Sequence, residues 1–261
     1  FQLIVVYFGI PTMWPGTFEH EFAPHHEEFW RFIFGIERGT SPSPFIQILS
    51  RGGGKSTNGE TAPIYLGAEG LRSYCLYVCG TQSQAEDHVS SIEAKIEAGN
   101  FEEYYPAMAE KRVSRDGTQK GWRRDRLWTA AGFIVDAVGL DKAARGKKLE
   151  DVRPDIIILD DVDKDGDSGK VVGKKIDRIQ NAILPTGQDN VVVIGLQNLV
   201  HSDSVFSKIA GGDTEMLQGA KISGPIPAAE NLSYEKKRVE EDGEETSKWV
   251  VTGGEPTWGG E

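Results

Sequence analysis

Glycines at Gly52, Gly53 and Gly54 precede Lys55, Ser56 and Thr57 in the stretch LSRGGGKST, residues 49–57. Glycines let a backbone approach phosphate oxygens closely. Where such a loop opens a helix, the first turn offers unpaired N–H groups and the positive end of the helix dipole. Lys55 would then reach β- and γ-phosphates, and the Ser56 hydroxyl would complete a Mg2+ shell. The cradle for Mg-ATP runs from Arg51 to Thr57 on this reading. Leu49 occupies the first glycine position of G-x-x-x-x-G-K-S/T, so the pattern is not met in full. A flexible surface loop with an incidental Gly-Lys-Ser is the plain alternative. Arg51 brings a second cation, for a γ-phosphate or for solvent.

A second constellation is acidic. The apolar run IIIL, residues 156–159, ends in Asp160-Asp161, and Asp163 follows. Carboxylates at the C-terminal edge of a buried strand stand where ligands of α/β sheets collect. One can hold Mg2+ and the next can polarise an attacking water. Asp160 suits the metal because it follows the apolar run at once. Asp161 and Asp163 both remain open for the water.

These groups need strands and helices to hold them. FIQIL (45–49), SYCLYVC (73–79), IIIL and NVVVIGL (190–196) are short apolar runs of strand length. Helix patterns lie between them, at HEEFWRFIFGI, after the glycine loop, from about 83 to 97 with Val89, Ile92 and Ile96 on one stripe, and near 173–184. Runs around Ala131-Gly132 predict a hairpin. Such alternation predicts an α/β fold with a mostly parallel central sheet flanked by helices, of the P-loop NTPase type. Residues 1–43 read as an N-terminal helical segment, 44–226 as the ATPase core, and the charged 227–261 as a hairpin or linker. Cys75 and Cys79 share a face of a strand and read as a reduced, buried pair.

The composition bounds the function. With 40 acidic and 29 basic residues the formal net charge is −11, and the 38% hydrophobic and 26% charged fractions are ordinary for a globular protein. A disulfide scaffold, a collagen-like chain and wholesale disorder are excluded. No apolar run reaches the ~18 residues a membrane span requires. The short apolar start lacks a basic flank and a small-residue cleavage site, which argues against a signal peptide, and the missing initiator Met reads as a trimmed or processed fragment. Uniform nucleic-acid coating is also excluded. Residues 107–148 nevertheless carry 11 basic against 5 acidic residues, which leaves room for a local basic face.

With LSRGGGKST, ARGKKLEDVRPDIIILDDVD and VVVIGLQNLVHSDSVF taken together, the sequence resembles the ATPase domain of tailed-bacteriophage terminase large subunits over most of residues 20–261. The resemblance implies a DNA-packaging motor of the additional-strand, catalytic-acid type, using ATP and Mg2+. Its implied partners are double-stranded DNA, a homo-oligomeric ring on a portal or procapsid, and a terminase small subunit, in the cytoplasm of an infected bacterial host. It implies that Arg145 reaches a neighbouring subunit's γ-phosphate, with Arg153 as competitor, and that Gln197 and Asn198 belong to a coupling motif. On this resemblance Gln82 or Gln84 would touch DNA or nucleotide, with helix capping as the simpler role, and a residue of the 22–34 region would stack on adenine. The family's nuclease domain would follow residue 261, so nuclease activity is not expected here. A related helicase and a non-hydrolysing nucleotide switch remain as alternatives.

Overall fold

The computed structural model describes residues 21–114, 116–118, 122–141, 152–198, 201–241 and 244–258. In chain order these form α1 (Pro24–Phe34), β1 (Phe45–Leu49), α2 (Lys55–Ala68), β2 (Tyr74–Cys79), α3 (Gln82–Ile96), α4 (Gly99–Tyr104), α5 (Pro106–Ala109), β3 (Arg126–Trp128), β4 (Ile134–Gly139) and β5 (Ile156–Asp160). Then follow α6 (Gly169–Arg178), which runs on through a π turn and a 3-10 turn, β6 (Val192–Gln197), α7 (Val205–Gly211), β7 (Lys221–Ile226), β8 (Ala229–Glu241) and β9 (Glu244–Pro256).

Seven strands make one sheet in the order β3-β4-β2-β5-β6-β1-β7. The β3–β4 pair is antiparallel, as expected around Ala131-Gly132, and the remaining pairs are parallel. Side chains alternate across the sheet and bury both faces. On β5, Ile156 and Ile158 meet the layer of α1, α2 and α3, while Ile157 and Leu159 meet α6 and α7. That is why IIIL is apolar without a break.

β6 lies between β1 and β5, so one strand separates the glycine loop from the acidic strand end. Period-two alternation turns Asp160 to the face of Ile156 and Ile158, the same face on which α2 starts. β8 and β9 pair antiparallel as a separate two-stranded ribbon. Cys75 and Cys79 are buried and free on β2. Among the described residues no helix is long and apolar enough to cross a membrane.

Candidate active site

The glycine loop turns sharply because Gly52 (φ 81°) and Gly54 (φ 74°) take left-handed backbone angles that only glycine adopts without strain. The Gly54 amide bonds back to the Gly52 carbonyl at 2.8 Å, and α2 begins at Lys55. Lys55 is buried, and its Nζ donates to the Ser50 carbonyl at 2.9 Å across the loop. Arg51 is exposed, and Ser56 and Thr57 are half-buried on the first turn of α2. The loop rests on α1: His26 Nε2 lies 3.0 Å from the Gly53 carbonyl, and the indole of Trp258 meets the His26 ring edge-on at 4.8 Å. Burial, eased by the Gly53 carbonyl, holds the His26 pKa below the usual imidazole value. Burial and the neighbouring His26 bring His25 down to about 4.

Asp160 is fully buried at the end of β5. Its Oδ2 accepts from the Tyr77 hydroxyl at 2.7 Å and lies 3.6 Å from His88 Nε2. Its Oδ1 is buried without a partner among the described residues. Burial pushes this carboxyl up to about 6 and the charge of Asp161 adds to that; His88, Tyr77 and Lys55 work in the opposite direction. His88 Nδ1 in turn meets Glu60 Oε1 at 2.7 Å, and Glu60 Oε2 accepts from Ser91 at 2.6 Å and Lys95 at 2.7 Å. Burial opposes the His88 imidazolium, but the Glu60 hydrogen bond and the charges of Asp160, Glu60 and Asp161 outweigh it and raise its pKa. This network ties α2 and α3 to the strand end. Sequence reading missed it, although His88, Ser91 and Lys95 at i, i+3 and i+7 form a polar stripe on α3.

The two remaining carboxylates sit differently. Asp161 is a non-glycine residue at φ 45°, half-buried, with Oδ1 3.4 Å from the Gln197 amide nitrogen. Asp163 is buried, and its two oxygens accept the N–H groups of Val205 and Phe206, at 2.8 and 3.0 Å, in the first turn of α7. Gln197 Oε1 accepts the Asp163 amide at 3.1 Å, and its Nε2 also meets Asn198 Oδ1 at 3.4 Å. The end of β6 is thus bonded to both acidic positions.

Gln82 and Gln84 have local roles. The Gln82 amide accepts from the Gly139 N–H at 3.0 Å and donates to the Ala137 carbonyl at 3.3 Å. Gln84 closes the cap of α3 with Thr81. Arg153 is exposed, and Arg145 lies outside the described residues. In the 22–34 region, His25, His26, Phe29, Trp30 and Ile33 are buried along α1.

The donor set fits Mg-ATP. The backbone of Gly52–Thr57 turns into a helix start that could cradle an anion, with Lys55 as a cation beside it. The Ser56 hydroxyl and the unpartnered Asp160 Oδ1 are hard oxygen donors of the kind Mg2+ takes together with phosphates. The fold is α/β with a mostly parallel central sheet, and one strand, β6, lies between the glycine loop and the acidic strand end.

No protein family and no curated protein matches the chain. Among solved structures, the fold is similar to the large terminase ATPase domain of Thermus phage P74-26 (20% identity, 63% of this chain and 62% of that one, TM-score 0.42). It is also similar to the N-terminal domain of the DNA packaging ATPase from bacteriophage phi29 (13% identity, 69% and 90%, TM-score 0.38). A third likeness is to the yeast DEAD-box splicing factor Prp28 (12% identity, 81% and 46%, TM-score 0.43). The chain spans less than two thirds of the Thermus phage domain.

Proposed function

We propose that this chain is the ATPase motor domain of a viral terminase large subunit, which hydrolyses Mg-ATP to drive double-stranded DNA into a procapsid. One juxtaposition carries this reading: the glycine loop with Lys55 after β1 and the Asp160–Asp161 pair at the end of β5, flanking a single strand that ends in Gln197. Mg-ATP, when bound, supplies a γ-phosphoryl group that passes to water, with the metal neutralising phosphate charge. Residues Arg51 to Thr57 cradle the phosphates, and Lys55 and Arg51 balance their charge. Ser56 and Asp160 Oδ1 hold the metal. The Asp161 carboxylate orients the water and accepts its proton. Asp163 anchors α7 to the strand end. Gln197, with Asn198 beside it, links the Asp161 side chain to that anchor, so a change at the carboxylate reaches α7.

Arg145 is the proposed finger on a neighbouring subunit's nucleotide, and Arg153 its competitor. Residues 1–43 form the nucleotide-side segment, 44–226 the core, and 227–261 the charged hairpin. The wider setting is a ring on a portal, with a small subunit, in the cytoplasm of an infected bacterial host.

Phosphate release from wild type beside Lys55→Ala tests the enzyme, and the variant should fall to background. Equal rates would leave a nucleotide switch. Robust strand displacement without a procapsid would replace the packaging motor by a helicase.

A further inference from the structure

The basic stretch 107–148 is the obvious place to look for a nucleic-acid surface, but the described cations there are engaged. Lys111 lies over the Trp122 ring at 5.1 Å and Arg112 over Trp128 at 4.5 Å. Arg124 pairs with Glu86 at 3.0 Å, Arg123 with Asp125 at 3.5 Å, and Arg126 is tied to the buried Asp136.

A different surface carries three cations that make no ion pair among the described residues. At the C-terminal edge of the sheet, a cleft of about 260 Å³ opens between the ends of β2 and β4, the loop after β5, and α6. Lys164, Lys174, Lys175 and Arg178 line it, with Asp141 and Asp167 as the acids. Both acids are engaged: Asp141 accepts the Gln82 amide at 2.9 Å, and Asp167 pairs with Lys175 and accepts the Lys164 amide at 2.9 Å. Lys164, Lys174 and Arg178 are exposed and make no ion pair among the described residues. The described lining of the cleft therefore carries two net positive charges in a chain of −11.

We infer that this cleft grips the phosphodiester backbone of double-stranded DNA. The inference rests on the DNA-motor reading and gives it a surface. Charge selects phosphate, since exposed Lys and Arg heads in a concave wall concentrate polyanions. Duplex is favoured over single strand because, among the described residues, no aromatic side chain lines the cleft, so unpaired bases would find no stacking platform there. The position also joins grip to chemistry. The Gly80 amide, on the cleft wall, donates to the Asp161 carbonyl at 3.3 Å, and Lys164 leaves the same loop three residues later. A phosphate drawn onto Lys164 pulls on the loop that carries the water-orienting carboxylate.

The test is binding of a tagged 30-base-pair duplex of arbitrary sequence to the full chain, without nucleotide, across a salt series. Lys174→Glu/Arg178→Glu should weaken duplex binding about tenfold or more and lower the slope of log K against log salt by about 2, one unit per lost phosphate contact. Arg123→Glu/Arg124→Glu should lose much less, and unchanged circular dichroism and melting will show that both variants fold. Unchanged affinity and slope in the cleft variant overturn the assignment while leaving the motor reading intact. Equal loss in the two variants, or displacement of the duplex by millimolar inorganic phosphate, overturns it as well, as does tighter binding of a single strand of equal length. Intact DNA binding with lost self-association would assign the cleft to an acidic face of a second copy. Failure of wild type to bind any DNA at low salt removes the motor reading itself.

Discussion

Both oxygens of Asp163 receive N–H groups from α7, whereas Asp161 Oδ1 faces the Gln197 amide at 3.4 Å. The two acids should therefore fail differently. Asp161→Asn is expected to lower kcat by roughly 10²–10⁴ with nucleotide affinity retained, the size of a lost general base. Asp163→Ala removes a helix cap and should cost about 0.5–2 kcal/mol in urea unfolding. The opposite pattern would exchange their roles. His25 and His26 predict an acid limit. Their folded pKa values lie below the unfolded value of 6.5, so both states are neutral above that pH and stability is at its full value there. As pH falls below 6.5, the unfolded chain takes up protons that the folded chain resists, and stability drops until pH passes about 4 for His25. Urea midpoints should fall across that window by an amount worth on the order of 2 kcal/mol, below the full value of the His25 shift because solvent near the ring screens part of it, and His25→Gln should flatten the curve.

Among the elements, β3 is held to β4 by a buried pair as well as by its short ladder. Arg126 bonds Asp136 through both its Nε and Nη2, the latter at 2.6 Å, and the Tyr74 hydroxyl donates to the same carboxylate at 2.6 Å. Arg126→Ala leaves the buried Asp136 without its cation, and should cost about 3–5 kcal/mol, readable as a lowered melting temperature. Gly139 ends β4 where a Cβ would fall on the Gln82 backbone, so Gly139→Ala must push the start of α3 outward and destabilise the chain by about 1–3 kcal/mol. The four apolar strands were legible because burial on both faces demands unbroken apolar runs. β7 was not: KISGPI mixes glycine, proline and a charge, and it pairs on the outer side of β1 only because β1 is there. α7 escaped too, since seven residues are too short for a helical period to register. The helix expected near 173–184 is α6 starting at Gly169, continued by π and 3-10 turns.

For the whole molecule, the −11 charge is compatible with a DNA motor if cations gather on one surface. The structure separates two basic regions by their partners: the described cations of 107–148 stack or pair at home, whereas Lys164, Lys174 and Arg178 of the α6 cleft make no ion pair among the described residues. Assembly makes a further prediction. If Arg145 acts across a subunit boundary, mixing Arg145→Ala with Lys55→Ala chains should recover part of the hydrolysis that each lacks alone, because some boundaries pair an intact loop with an intact finger. Absence of recovery would place Arg145 within its own subunit's site or outside the chemistry.

The glycine loop, the acidic strand end and the alternation that makes a parallel sheet are legible in the residues alone, because each is a local pattern written in consecutive residues. Folding settles which strand lies between loop and acids, which of two aspartates is bound up in a helix cap, and which of the described cations lack an ion-pair partner. Those are questions of partnership between residues far apart in the chain: Glu60 with His88, Asp163 with Val205, Lys111 with Trp122. Spacing cannot reveal a partner that the fold brings from elsewhere.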